Sequence, residues 1–183
     1  MFEAIVFGIY HLGFIARCAR EEDDAGEVRL SKIERIIEEC RFGINDLSAV
    51  ELDTVTGLPR FNMPLELGLF LGCKRFGANN QSKKRTLILD RELYRYRAFI
   101  SDIAGQDIRA HGGEPERGIR EVRDWLRTAS RRKTLPGATE IIAHYRQFRL
   151  DLPSLCAALG LEPDRLTFPD LSTLITDWLK TRP

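Results

Sequence analysis

From Leu65 to Cys73 the chain reads LELGLFLGC, which is apolar at nearly every position. A helix of that composition has no face to give to water, so it must be buried, and Gly68 and Gly72 let a neighbouring backbone come close. Pro64 suits the first turn, where its missing N–H costs nothing, and Asn62 or Met63 then sits at the boundary as cap. The charge in this run is Glu66. Placed in the first turn it meets the partial positive charge of the helix N-terminus. That field favours the ionised carboxylate and suits it to act as a nucleophile or a stabiliser of positive charge. The alternative is a Glu that only satisfies first-turn amides.

A helix buried all round needs layers on either side, and the rest of the chain supplies them. Residues 2–12 recur at helical spacing with Gly13 as a stop, and 14–18 read as a short strand. Ser31 with Glu34 makes a capping box opening a helix whose inner stripe is Leu30, Ile33, Ile36, Ile37 and Cys40. Residues 42–45 and 86–89 are strands, 94–104 a helix, and 107–110 a weaker strand. Gly112 and Gly113 turn the chain into a helix over 115–130 with Ile119, Val122 and Leu126 inward. This alternation predicts an α/β fold with a doubly wound parallel sheet. From Arg131 only helical patterns follow. Three stripes are visible, one with Ile141, Ile142, Tyr145 and Phe148, one with Leu152, Leu155, Cys156 and Leu159, and one with Leu171, Leu174, Ile175, Trp178 and Leu179. The expected organisation is an α/β domain over 1–133 and a C-terminal helical extension over 134–183, packed on that domain or on a second subunit.

Composition narrows the function classes. The 183 residues are 43% hydrophobic and 30% charged with net charge +1, so no global field draws in nucleic acid or an anionic membrane. No run of 18 apolar residues occurs, and the first thirteen residues lack a signal-peptide pattern, which points to a cytoplasmic protein with no membrane partner. The four cysteines show no C-x-x-C spacing and read as buried reduced thiols. His11 and His144 lie in helical patterns with no ligand partner near in sequence. No metal spacing, P-loop or G-x-G-x-x-G pattern is present, and no cofactor is expected.

The order strand, helix, strand ending Asn45-Asp46-Leu47-Ser48, followed by Asn62-Met63-Pro64-Leu65-Glu66-Leu67-Gly68, resembles the superfamily that unites nucleoside 2-deoxyribosyltransferases with Toll/interleukin-1 receptor-like (TIR-like) domains. The likeness covers residues 2–130. It implies a flavodoxin-like three-layer α/β/α fold with a parallel sheet, and a helix Glu acting at C1′ of a ribose or deoxyribose to break an N-glycosidic bond. Glu66 matches that Glu, and Asp46 and Ser48 match a pair lining the same cleft. The chain departs from the family in three ways. The strand that normally precedes the first helix is not seen before Phe2, Asn62-Met63-Pro64 replaces the Gly-Thr of deoxyribosyltransferases, and the Trp-Cys of many NAD-cleaving TIR domains is absent. Homo-oligomers are also implied by the resemblance.

Breaking an N-glycosidic bond develops positive charge on the sugar, which a fixed carboxylate can stabilise or attack. Glu66 is the residue expected in that role. Asp46 could bind ribose hydroxyls or protonate the departing base, or it could simply cap the turn at Ser48. Asn62 and Met63 are candidates for substrate contact, Asn62 to orient the base or sugar, although an Asn before a helix is more often just a cap. Arg60 is a candidate for phosphate or carboxylate contact, against a surface ion pair with a neighbour such as Asp53. His111 at the end of a late strand could serve as acid or base, or be a turn histidine. Residues 93–99 interleave Tyr94, Tyr96 and Phe99 with Arg95 and Arg97, as nucleic-acid binders do, and inward aromatics with arginine stems along the surface explain them more simply. The leading expectation is an N-glycosidase or glycosyltransferase acting on a nucleoside, nucleotide or NAD, with NAD entering as substrate. The alternative is a non-catalytic TIR-like nucleotide-sensing or assembly module.

Overall fold

The structure is a computed structural model that describes residues 1–21, 24–50, 54–55 and 57–182. The chain forms two compact units, one of Asp24–Glu114 and one that joins Met1–Asp23 to Pro115–Pro183.

The first unit holds a parallel sheet. Strands β1 (Phe42–Asp46), β2 (Arg85–Asp90) and β3 (Ile108–Ala110) pair in the order β1-β2-β3 with β2 central. The register sets Asp46 beside Leu89 and Asp90 beside Ala110, so the carboxyl ends of all three strands meet at one edge. Helices α2 (Arg29–Glu39) and α3 (Asn62–Phe76) belong to the same unit. The α/β class and the parallel sheet flanked by helices are therefore as the alternation predicts, in keeping with a flavodoxin-like fold. On α3, Met63, Leu67 and Phe70 fall on one face at helical spacing. Leu67 packs in a core cluster with Leu47, Ile88, Tyr96, Ile103 and Ile108, and Met63 lies against it. Phe70 presses so closely on β1 that a Cβ at Gly43 would come within 2.7 Å of its ring.

Lys84 fastens this unit. Only 3% exposed, it sends its ammonium under the last turn of α2, where it donates to the carbonyls of Ile37, of Glu38 at 3.2 Å and of Cys40 at 2.5 Å. Its Nζ also stands 5.3 Å from the Phe70 ring centroid, over the negative face of the ring. A cation at a helix C-terminus satisfies carbonyls that have no intrahelical partner and opposes the helix dipole.

The second unit is helical. It contains α1 (Phe2–His11), α4 (Pro115–Ala129), α5 (Ala138–Leu159) and α6 (Phe168–Lys180). Phe7, with no exposed surface, sits 5.3 Å from Phe148 and 6.0 Å from Trp178, centroid to centroid. Each such ring contributes on the order of 2–3 kcal/mol through burial. Thr167 and Asp170 cap α6 reciprocally, the Thr167 hydroxyl accepting from the Asp170 N–H while the Asp170 carboxylate accepts from the Thr167 N–H. Among the described residues no helix is long and apolar enough to cross a membrane.

Several expectations change. Residues 14–18, expected as a short strand, join no ladder among the described residues, and Ile15 is 79% exposed. Helix α2 starts at Arg29 with Val28 as its cap, so Ser31 lies inside the first turn with no capping box, and Leu30 faces solvent. Residues 94–104 form two short 3-10 turns, Arg95–Ala98 and Ser101–Ile103, because Tyr94 takes φ 66° and turns the chain before a helix can start. The two stripes expected over 141–159 are in phase and make the single helix α5, with Pro153 inside it. The helices read as a C-terminal extension group with α1 and α4, so the compact units do not divide the chain at residue 133. Cys18, Cys40 and Cys73 are partly exposed thiols, and only Cys156 is buried. Lastly, His11 and His144 meet across the second unit at 2.8 Å.

If Lys84 holds the end of α2 as described, Lys84→Met keeps the stem and strips three carbonyls of their partner. Chemical denaturation should show a loss of about 2–4 kcal/mol. An unchanged midpoint would mean that water replaces the ammonium without cost.

Candidate functional site

The site grows from the carboxyl edge of the sheet, where ligands of open α/β folds bind. Asp46 ends β1. Its Oδ1 accepts the Ser48 backbone N–H at 3.0 Å, the local turn that an Asp in this position makes, and lies 3.2 Å from His111 Nε2. His111 follows β3 and is 1% exposed. Its Nδ1 accepts the N–H of Gly113 at 3.0 Å. A neutral imidazole carries one proton, so that bond places it on Nε2, pointed at Asp46. Gly112 and Gly113 both adopt φ in the left-handed region, which lets the turn fold the Gly113 N–H back onto the ring.

Asp90 ends β2 and is completely buried. Its Oδ1 accepts from the Arg91 N–H at 2.7 Å and from the Arg95 guanidinium at 2.6 and 2.9 Å. Arg95 also donates to the Leu47 carbonyl at 2.8 Å, and its guanidinium stacks 5.3 Å from the Phe99 ring centroid. The backbone N–H of His111 donates to the Asp90 carbonyl at 3.0 Å. The three strand ends are thus one connected set in which Asp46, 21% exposed at its side chain, is the member open to solvent. The second carboxylate oxygen of Asp90 is buried and has no hydrogen-bond partner among the described residues. Such an oxygen is costly unless a donor reaches it.

Glu66 lies elsewhere. Because α3 starts at Asn62 with Phe61 as its cap, Glu66 is in the second turn, where the field of the helix terminus has faded. Burial now dominates and raises its pKa above the usual carboxylate value, with Arg29 at the start of α2 pulling the other way. The expectation that the dipole favours its ionised form is corrected accordingly. Glu66 shares a helix face with Leu69 and Cys73, which line a groove of about 330 Å³ together with Glu34, Ile37 and Glu38 of α2. Among the described residues no hydrogen bond or ion pair joins Glu66 to Asp46.

Of the other expected site residues, Ser48 is at the strand-end set through its backbone, and Met63 helps form the apolar floor beside Leu47 and Leu67. Asn62 is the exposed first residue of α3 with no capping bond, and Arg60 is exposed before it. Asp53 lies outside the described residues. Sequence reasoning missed Asp90 and Arg95. An acid closing the apolar run Leu87 to Leu89 was the available signal, since a charge at the end of a buried strand needs a partner. The interleaved arginines of residues 93–99 are accounted for by contacts within the unit, Arg95 as above and Arg97 stacked 4.7 Å from the Tyr94 centroid.

In comparison with protein-family models, with curated proteins and with solved structures, no match was found.

The raised pKa of Glu66 has a signed consequence. The folded chain binds this proton more tightly than the unfolded chain, so stability falls as pH rises from the unfolded to the folded pKa. Glu66→Gln removes the ionisation. Its melting temperature relative to the parent should therefore climb as pH rises upward from the ordinary Glu pKa of about 4.3. A difference that stays constant over that range would show that the carboxylate is not held in a desolvated place.

Proposed function

We propose that the carboxyl edge of the sheet binds a ribosyl compound, a nucleoside, a nucleotide or NAD, and cleaves or transfers its N-glycosidic bond. The observation that carries this reading is the connected set of Asp46, His111 and Asp90 at the ends of three parallel strands. It offers one acid open to solvent and, facing it, one buried histidine whose Nε2 carries the proton.

In the reaction the bond from C1′ to the base nitrogen breaks and its electron pair leaves with the base; a nucleobase then takes up a proton, whereas nicotinamide, leaving from a cationic ring nitrogen, departs neutral without one. The sugar becomes oxocarbenium-like and is captured by water or by an acceptor nucleoside. A carboxylate near C1′ stabilises that charge. The likeness to deoxyribosyltransferases and TIR-like domains favours Glu66 for this part, and the strand-end geometry favours Asp46. His111 is suited to hold the Asp46 carboxylate in place and to pass a proton through Nε2. Assembly as a homo-oligomer and action in the cytoplasm belong to the same proposal.

A second reading, a nucleotide-binding module without catalysis, is favoured by one contact. Asp46 Oδ1 already serves the Ser48 N–H, as a purely structural turn would require.

The deciding experiment incubates the protein with NAD, NADP and a panel of nucleosides and nucleotides and follows release of free base by chromatography, beside Glu66→Gln and Asp46→Asn. Base release abolished in either folded variant, by on the order of 100-fold or more, supports the glycosidic reading and names the carboxylate. Ligand-dependent thermal stabilisation without base release supports the binding module. Absence of both effects would remove the ribosyl reading altogether.

A further inference from the structure

We propose that His11, Glu140 and His144 form a binding site for one divalent transition-metal ion of the zinc class, tying the end of α1 to the start of α5. The three residues offer one ligand atom each, and these atoms lie within 4.8 Å of one another.

The local sequence makes this arrangement. His11 is the last residue of α1, and Glu140 and His144 stand one turn apart on the same face of α5. The aromatic packing of Phe7 against Phe148 and Tyr145 sets the two helices side by side and brings the histidines into contact. His11 Nε2 and His144 Nδ1 then face each other at 2.8 Å. Phe7 flanks the first ring at 5.9 Å between centroids and Trp178 meets the second edge-on at 6.0 Å, so each imidazole packs against an aromatic neighbour.

Two imidazoles sharing one proton are a weaker arrangement than two imidazoles sharing a cation. As it stands, one of the two facing ring nitrogens donates and the other accepts. Neutral imidazole is the form that ligates metals. Tetrahedral zinc with nitrogen ligands at about 2.0–2.1 Å separates the two nitrogens by roughly 3.3 Å. The rings therefore need to part by roughly 0.5 Å, which side-chain rotation supplies. Glu140 is exposed and can swing its carboxylate inward as the third ligand. Two imidazoles and one carboxylate suit zinc, cobalt, nickel or copper in preference to calcium or magnesium, and leave the fourth position to water.

This inference concerns the helical unit and stands apart from the reading of the sheet edge. It is tested on the full chain by titrating zinc against a colourimetric chelator and by recording the cobalt(II) spectrum. The expected result is one zinc per chain, a melting temperature that climbs with zinc concentration, and cobalt(II) quenching of Trp178 fluorescence. Glu140→Gln, on an exposed helix face, should fold normally and weaken zinc binding by at least about tenfold, and His144→Gln should abolish it. Three results would overturn the site: no saturable zinc binding, an affinity unchanged in both variants, or a cobalt(II) complex with thiolate charge-transfer absorption, which would put the ion on cysteine.

Discussion

A carboxylate without exposed surface at the end of the central strand is the constraint on which the sheet edge depends. Asp90 cannot stay charged there unless a cation comes to it, and Arg95 is the cation that does. To deliver it, the backbone at Tyr94 accepts a left-handed conformation that side chains other than glycine seldom take. The same guanidinium holds the Leu47 carbonyl and so fixes the turn after β1, which aims Asp46. On the other side the Asp90 carbonyl holds the backbone of His111. One buried charge therefore aligns the residues that follow all three strands, and the polar set at this edge is a consequence of solving its burial.

Lys84 answers the complementary problem at the opposite end of β2. Helix α2 ends with carbonyls turned toward the protein interior, and a single ammonium serves three of them while resting over the Phe70 ring. The central strand is thus bracketed by a buried cation before it and a buried anion at its close. Each is satisfied by groups from other elements, which ties α2, α3 and the loop after β1 to β2 more specifically than apolar contact alone would.

Much of this was legible in the chain. The three strands and the inward faces of α4 and α6 follow a pattern that is a local property and survives reading one residue after another. Asp46 and Ser48 could be placed at a strand end for the same reason. Helix α3, expected to be buried all round, instead buries only Leu67 and Phe70, leaves Leu65 56% exposed, and has nothing within 4 Å of a Cβ at Gly68 or Gly72. What escaped depends on distant partners or on a single backbone angle. Lys84 looked like the end of a polar loop because its acceptors lie at residues 37–40. Arg95 looked like part of a helix because nothing in its neighbours signals the turn at Tyr94. Glu66 was placed in the first turn because Pro64 is compatible with the first helical position and also with the third, and a shift of two residues moves a carboxylate out of the terminal field. His11 and His144 are separated by most of the chain, and only the packing of Phe7 makes them neighbours.

Gly43 and Phe70 occupy what is in effect a single volume, with the β1 backbone on one side and the Lys84 ammonium on the other. The two positions are therefore not free to drift separately. A lineage that acquires a side chain at 43 must first trim the ring at 70, and trimming the ring uncovers the cation that holds α2. Inherited change at this corner should move through compensated sets of three, so relatives of the chain should show residues 43, 70 and 84 covarying more tightly than any of them does with the polar edge.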